Sequence, residues 1–145
     1  MGPAGALATA GARLCLGSDS HAVIDLFEEA RAVELDERLA TLQRGVHRAG
    51  ALLAAATQGG ATSLGWPQCG RIEAGALADL VTVSVGSVRL AGIPADALVA
   101  GIVFAATAGD VTDVMVGGTV VVRGRHHVTI DVPSDLRRAI EAVWQ

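Results

Sequence analysis

The sequence contains no lysine and no tyrosine, and aromatic residues make up only 3% of the chain. All 11 basic side chains are therefore arginines, and 15 acidic side chains bring the formal net charge to −4. The arginines do not collect into a basic stripe. Because nucleic-acid binding needs a clustered positive face, as does a polybasic membrane anchor, the charge pattern predicts neither a nucleic-acid partner nor a membrane partner.

Cysteine is also scarce, with Cys15 and Cys69 far apart and no Cys-x-x-Cys pair. The simplest interpretation is two reduced thiols in the core of a cytoplasmic protein, with a single disulfide as the alternative. Residues 1–6 lack the positive region of a secretory leader. The uncharged stretch 97–109 is 13 residues long, which is typical of a core segment rather than of a membrane span.

Apolar residues are abundant: they form 51% of the chain, against 18% charged residues, and the mean hydropathy is +0.46. A chain of 145 residues has the length of one domain and should bury roughly 68–70% of its unfolded surface. A chain of this composition has more apolar surface than its polar side chains can shield from water. We therefore expect either a homo-oligomer partner or a missing portion of a larger body to cover the remaining apolar faces.

The segment 13–21 is the first candidate for a functional site. Its apolar run 14–16 is too short for a helix and ends at Gly17, which predicts a strand buried on both faces. Asp19 follows the end of this strand, the position where ligands and catalytic groups gather in α/β folds. The alternative is that Asp19 or Ser20 only caps the helix that follows.

Helical patterns surround this segment. Asp25, with Glu28 three residues later, has the form of a capping box and predicts a helix to about Arg44, with Glu34 and Arg38 as an ion pair on its exposed face. Its packing stripe is predicted to be Val23, Phe27, Ala30, Leu35, Leu39, Leu42 and Val46. Two further helices are predicted, over 51–57 with a left-handed end at 59–60, and over 133–144.

Strand patterns occupy the later part of the chain. Residues 79–85 mostly alternate between apolar and polar, as a strand does. Residues 111–123 predict an antiparallel hairpin that turns at Gly117 and Gly118, since a glycine pair tolerates the positive φ of such turns. A lone hairpin is marginal in water, so it needs a sheet partner.

Three segments carry a resemblance to a known family: residues 16–21 (Leu-Gly-Ser-Asp-Ser-His), 56–65 (Ala-Thr-Gln-Gly-Gly-Ala-Thr-Ser-Leu-Gly) and 70–81 (Gly-Arg-Ile-Glu-Ala-Gly-Ala-Leu-Ala-Asp-Leu-Val). In this order they resemble the C-terminal portion of the metal-dependent amidohydrolase superfamily, over nearly the whole chain. Within it, residues 17–21 and the Leu-Gly-Trp-Pro at 64–67 are most similar to the formimidoylglutamate deiminases.

The resemblance implies an α/β fold. Residues 1–69 would be the end of a (β/α)8 barrel, with its last strand ending at Asp19 and helices following. Residues 70–128 would be part of a small β-sandwich, and residues 129–145 a terminal helix. In such enzymes this Asp is catalytic and binds a divalent metal, usually zinc, whose bound water has a pKa lowered toward ~7. Ser20 and His21 would line the pocket of a small-molecule substrate.

The implied function is hydrolysis of a C–N bond, from N-formimidoyl-L-glutamate to N-formylglutamate and ammonia. The family's metal site also needs a His-x-His pair and further histidines, and none of His21, His47, His126 and His127 matches them. His47 is predicted to lie at the surface, and the adjacent His126 and His127 would point to opposite faces of a strand.

The sequence therefore predicts a C-terminal fragment that carries one ligand, Asp19, of a zinc site belonging to the full-length parent. We expect no zinc on the isolated chain and no activity from it. Its partner would be the missing N-terminal barrel portion or a homo-oligomer partner. The alternative function is a non-catalytic scaffold or oligomerisation module that kept the amidohydrolase fold.

Overall fold

A computed structural model describes residues 2–20 and 22–144 of the chain. A helical part comes first and a part rich in strands follows. The α-helices are α1 (Ala4–Thr9), α2 (Leu26–Thr41), α3 (Ala49–Ala54), α4 (Gly60–Ser63), α5 (Leu98–Ala105) and α6 (Val132–Val143), with a π-helical turn (Ala55–Gly59) and two 3-10 turns (Ala95–Ala97 and Ala108–Asp110). The strands are β1 (Leu80–Val83), β2 (Val111–Val116), β3 (Thr119–Arg123) and β4 (His126–His127).

The four strands form one antiparallel sheet in the order β1-β2-β3-β4. The predicted hairpin is confirmed, because β2 pairs with β3. The turn between the two strands is formed by Gly117 and Gly118, whose φ angles are 55° and 82°. Both angles are positive, a backbone conformation that residues other than glycine rarely adopt. The described residues form this single sheet, so a β-sandwich is not seen within them.

The hydrophobic core lies where α2, α3 and α5 meet. Ala30, Leu52 and Val103 are buried at its centre, one from each helix. The side chains packed around them are Leu16, Val33, Ala49, Leu53 and Phe104. The uncharged stretch 97–109 is therefore a core segment, as predicted, and helix α5 within it was not predicted.

Helix α2 begins at its predicted cap, Asp25, and ends at Thr41, where Leu42 takes a left-handed φ of 58°. Its buried side carries Ala30, Glu34 and Glu37, which lie three or four residues apart on one face. The predicted packing stripe is largely wrong, since Val23, Leu35, Leu39, Leu42 and Val46 are all exposed. Glu34 and Glu37 lie on the inward face because their carboxylates accept hydrogen bonds from backbone N–H groups of other segments. The donors are Gly5 for Glu37, and Gly45 and His47 for Glu34.

The helix predicted over 51–57 is longer than expected. It runs without a break from Ala49 to Ser63, through the π-helical turn, and Gly59 and Gly60 both have right-handed helical angles. The left-handed end predicted there is wrong, and the positive φ of 77° lies later, at Gly65. Helix α6 forms as predicted, although its apolar residues Leu136, Ile140 and Val143 are exposed.

Residues 12–18 form neither a helix nor a strand, so the buried strand predicted at 14–16 is wrong for the described structure. Leu14 and Leu16 are half-buried and Cys15 is exposed, whereas Cys69 is buried as predicted, and both thiols are free. A strand requires hydrogen bonds to a neighbour. The backbone of 13–18 has none to any described residue, because the single sheet begins only at Leu80.

Gly59 is expected to be intolerant of a side chain, in contrast to Gly60. A Cβ at Gly59 would lie 2.6 Å from the Leu14 carbonyl oxygen, whereas one at Gly60 would meet nothing closer than 3.9 Å. Gly60→Ala should therefore stabilise the helix by about 0.5–1 kcal/mol, and Gly59→Ala should destabilise the chain by displacing Leu14. Urea unfolding of both variants measures this, and equal stabilisation by both would contradict the close packing at Gly59.

Candidate functional site

Asp19 lies in an exposed turn with Ser20, between the segment 12–18 and helix α2. Its φ is 46°, in the left-handed region that residues other than glycine seldom occupy, although Asp tolerates it better than most. His21 lies outside the described residues, so its proposed place beside the substrate stays a prediction. The carboxylate of Asp19 thus projects from a tightly turned backbone at the end of the apolar run.

The cap of α2 is Asp25, and neither Asp19 nor Ser20 takes that role. Asp25 Oδ1 accepts a hydrogen bond of 2.8 Å from the Phe27 N–H, the pattern of a helix N-cap. The alternative interpretation of Asp19 as a capping residue is therefore wrong. The Asp19 side chain is therefore exposed and lies outside the N-cap of α2.

Asp25 also connects the helical part to the sheet. Its second oxygen, Oδ2, accepts a hydrogen bond of 3.0 Å from the N–H of Ala108, 83 residues further along the chain. Arg31, in the second turn of α2, donates to the Ala106 carbonyl at 2.6 Å. These two contacts hold the start of α2, and with it the end of the Asp19 loop, against the segment that leads into β2.

That segment is stabilised by a buried aspartate. Asp110 accepts from the Thr107 N–H at 2.9 Å and from Arg89 Nη2 at 3.0 Å. These hydrogen bonds hold the pKa of Asp110 well below its usual range, with the backbone of Thr107 contributing most. The anchoring loop for Asp25 is therefore itself fixed by a charged, fully bonded carboxylate.

A second buried carboxylate, Glu34, organises the loop after α2. It accepts hydrogen bonds from the Gly45 N–H at 2.6 Å, the His47 N–H at 2.7 Å and Arg38 Nε at 2.8 Å. Burial alone raises the pKa of Glu34, but the bonds from His47, Arg38 and Gly45 together lower it below its ordinary value. The predicted pair with Arg38 is present, but Glu34 is buried rather than exposed.

His47 is buried, with 6% of its surface exposed, so its predicted surface position is wrong. The backbone N–H of His47 donates a hydrogen bond to the buried Glu34 carboxylate, so the loop and the His47 side chain lie in the interior. Its Nε2 is buried and has no hydrogen-bond partner among the described residues. His47 lines a cavity of about 440 Å³, whose other polar lining residues are Arg13, Gln58 and Thr62.

The residues that the structure describes do not form a metal site by themselves. Within 2–20 and 22–144, no three or more His, Cys, Asp or Glu side chains come together in a way that could hold an ion. Asp19 is a single carboxylate where a catalytic zinc site has three protein ligands. His126 and His127, on the short strand β4, are not brought to it either.

The family of the chain follows from comparison with known proteins. The amidohydrolase family profile matches residues 2–121. The chain belongs to the amidohydrolase family. It is 36% identical over 143 residues to a 5-methylthioadenosine/S-adenosylhomocysteine deaminase of Desulforudis audaxviator, covering 96% of this chain and 33% of that protein. It is 40% identical over 124 residues to the formimidoylglutamate deiminase of Pseudomonas aeruginosa, covering 80% and 27%.

Solved amidohydrolase structures agree with the fold. An adenosine deaminase from Xanthomonas campestris with bound zinc matches this amidohydrolase chain with a TM-score of 0.86 at 29% identity, covering 96% of the chain and 32% of that structure. A zinc complex of the atrazine chlorohydrolase from Arthrobacter aurescens matches with a TM-score of 0.80 at 25% identity, covering 96% and 31%. The chain thus spans about a third of the length of the relatives it matches.

Several features escaped the sequence analysis. The burial of Glu34, Asp110 and His47, and the bridge from Asp25 to Ala108, were not predicted. Only the cap at Asp25 had a signal in the sequence, the spacing of Asp25 three residues before Glu28.

None of the helices in the described ranges combines the length and the apolar character that crossing a membrane requires.

Two variants are expected to separate the roles of the neighbouring aspartates. Asp25→Ala removes the cap of α2 and the acceptor for Ala108, and should cost about 1–2 kcal/mol in the free energy of unfolding. Asp19→Gly should lower it by no more than about 0.5 kcal/mol, because Asp19 is exposed and glycine tolerates its left-handed φ of 46°. Chemical denaturation of both variants measures this, and a loss for Asp19→Gly as large as that for Asp25→Ala would show that the Asp19 carboxylate stabilises the fold.

Acidification is expected to weaken the chain partly through Glu34. Because the pKa of Glu34 is lower in the folded chain, its charge stabilises the fold above its ordinary pKa, and this contribution is lost as the pH falls through the lowered value. Glu34→Gln should therefore cost about 1–3 kcal/mol at pH 7 and progressively less toward pH 3.

Thermal unfolding across this pH range measures the effect. The matched control is Asp36→Asn, which changes an exposed carboxylate on the same helix. Its melting temperature should equal that of the unaltered chain at each pH. A pH-independent loss for Glu34→Gln would show that the carboxylate contributes through packing rather than through its charge.

Proposed function

We propose that this chain is the C-terminal part of an amidohydrolase that hydrolyses a C–N bond with release of ammonia. The proposal is supported by the relatives' names, since the two relatives described above are a deaminase and a deiminase. The similarity to the formimidoylglutamate deiminase extends to 40% identity. It favours N-formimidoyl-L-glutamate as the small-molecule substrate, with N-formylglutamate and ammonia as the products.

The observation that carries the proposal is the position of Asp19. It is exposed at the end of the apolar run, takes a left-handed φ, and is released from helix capping by Asp25. Backbone conformations of this kind cluster at functional sites, where the surrounding structure maintains them. Asp19 is accordingly proposed as one protein ligand of a zinc ion and as the acceptor of the proton of the attacking water.

In the proposed reaction, the oxygen of water adds to the C=N carbon while Asp19 takes one proton from that water. The C–N bond then breaks as the C=O bond forms, and the nitrogen leaves as ammonia after gaining both protons of the water, one of them returned by Asp19. Ser20, next to it in the same exposed turn, and His21 are proposed to line the substrate pocket. The remaining metal ligands would have to come from outside this chain, so the isolated chain is proposed to be inactive.

The test uses a fusion protein in which this chain replaces the matching part of the Pseudomonas aeruginosa formimidoylglutamate deiminase. Asp19→Asn keeps the side-chain shape but removes the base, so kcat for formimidoylglutamate should fall at least about a hundredfold. The melting temperature should change little, because Asn keeps the size of the side chain and tolerates the left-handed φ at position 19.

Asp36→Asn in the same fusion protein is the matched control and should leave kcat unchanged. Activity above half of the unaltered value for Asp19→Asn would exclude the catalytic role. That result would instead favour the non-catalytic scaffold, which needs no carboxylate at position 19.

A further inference from the structure

The loop between Asp19 and helix α2 is not held by its own side chains. Ala22 is exposed, and so are Val23 and Ile24, at 60% and 76% of their surfaces. Asp25, only 8% exposed, is the first buried residue after Asp19 among those that the structure describes. The place of this loop therefore depends, at its C-terminal end, on the contacts that hold Asp25.

Asp25 has one oxygen more than a helix cap requires. Its Oδ1 accepts a hydrogen bond from the Phe27 N–H at 2.8 Å, which completes the cap of α2. Serine has a single side-chain oxygen and caps helices about as well as aspartate does. The cap alone therefore does not require a carboxylate. The second oxygen, Oδ2, accepts a different N–H, that of Ala108, at 3.0 Å.

The donor to Oδ2 lies at the start of another helical turn. Ala108 is the first residue of the second 3-10 turn, a position where an N–H group has no acceptor within the turn. Thr107 and Asp110 close this turn as a capping box. Asp110 is 1% exposed and also binds Arg89. Asp25 therefore joins the start of α2 to a segment whose own geometry is fixed.

Arg31 makes a second contact to the same segment. Its Nη1 donates to the carbonyl of the buried Ala106 at 2.6 Å. Asp25 and Arg31 lie at opposite ends of the first helical turns of α2, six residues apart. Two contacts at this separation fix the direction of the helix as well as the position of its start.

A catalytic carboxylate needs a defined position. A misplacement of about 1 Å can cost about a hundredfold in rate. Asp19 lies six residues before Asp25, in an exposed turn with a φ of 46°. Because the exposed Val23 and Ile24 do not anchor the loop between them, a shift in the start of α2 passes directly to the turn that carries Asp19.

We propose that Asp25 is a positioning residue, whose second oxygen, bonded to the Ala108 N–H, holds the loop where Asp19 can accept a proton from water. The proposal rests on the proposed function, because it takes Asp19 as the proton acceptor. Asp25 acts through the backbone and contacts neither water nor substrate. The segment that leads into β2 thus sets the geometry of a carboxylate in the helical part.

Nuclear magnetic resonance of the isolated chain tests the positioning without substrate. Asp25→Ser keeps a capping oxygen for α2 but removes the acceptor for Ala108, so the Ala108 amide should exchange at least about tenfold faster. The backbone order parameter of Asp19 should fall in the same variant. The matched control is Asp79→Ser, which removes the carboxylate that accepts the Gly117 N–H at 2.6 Å, and it should change neither quantity. An unchanged order parameter for Asp19 in Asp25→Ser would overturn the proposal.

Kinetics of the fusion protein described above separate positioning from stability. Asp25→Ser and Asp25→Ala both remove the acceptor for Ala108, so both should lower kcat for formimidoylglutamate by the same factor, at least about tenfold, with KM unchanged. Only Asp25→Ser keeps the cap of α2, so its melting temperature should lie above that of Asp25→Ala. If kcat instead follows the melting temperature, with Asp25→Ser close to the unaltered protein, Asp25 acts only as a cap and the proposal is wrong.

Comparison with Asp19→Asn distinguishes a failure of the positioning from a failure of the proposed function. If Asp19→Asn is inactive while Asp25→Ser keeps full activity, the positioning is wrong and the proposed function stands. If Asp19→Asn keeps more than half of the activity, the catalytic role is excluded, and the positioning of a proton acceptor fails with it. If the fusion protein does not fold, the order parameter of Asp19 in the isolated chain decides.

Discussion

The carboxylate of Glu34 is the interaction on which the helical part depends. It accepts two backbone N–H groups from the loop after α2 and one side-chain donor from Arg38, all within a buried environment. Removing it would leave those N–H groups unsatisfied, and a buried unsatisfied donor costs more than an average hydrogen bond contributes. The bond to the His47 N–H fixes the backbone just before α3 and places the His47 side chain on the wall of the cavity, so the loop and the cavity wall share one anchor.

The features that could be predicted from the sequence are local ones. The hairpin depends on Gly117 and Gly118 and on valine-rich arms within a few residues of them, so its signal is complete in a short window. The start of α2 depends on Asp25 and the backbone two residues later. The catalytic role of Asp19 is a prediction of the same local kind, made from a carboxylate just past an apolar run, and it stays a prediction.

The features that could not be predicted depend on distant partners. Glu34 is buried because the N–H groups of residues 11 and 13 positions later donate hydrogen bonds to its carboxylate. The spacing of apolar residues along the helix carries no information about such donors. His47 follows Glu34 inward for the same reason. The strand expected at 14–16 has the right composition, but pairing needs a neighbouring strand that the described residues do not provide.

The bridge from Asp25 to Ala108 has a consequence for the order of folding. Strands β2, β3 and β4 are neighbours in sequence, so their sheet closes only short loops, whereas the bridge closes a loop of 83 residues. Loop closure costs entropy before a contact repays it, and short-range contacts therefore form faster. During synthesis, α2 emerges long before Ala108 does, so the second carboxylate oxygen of Asp25 receives its backbone N–H donor only after the later part of the chain has been made.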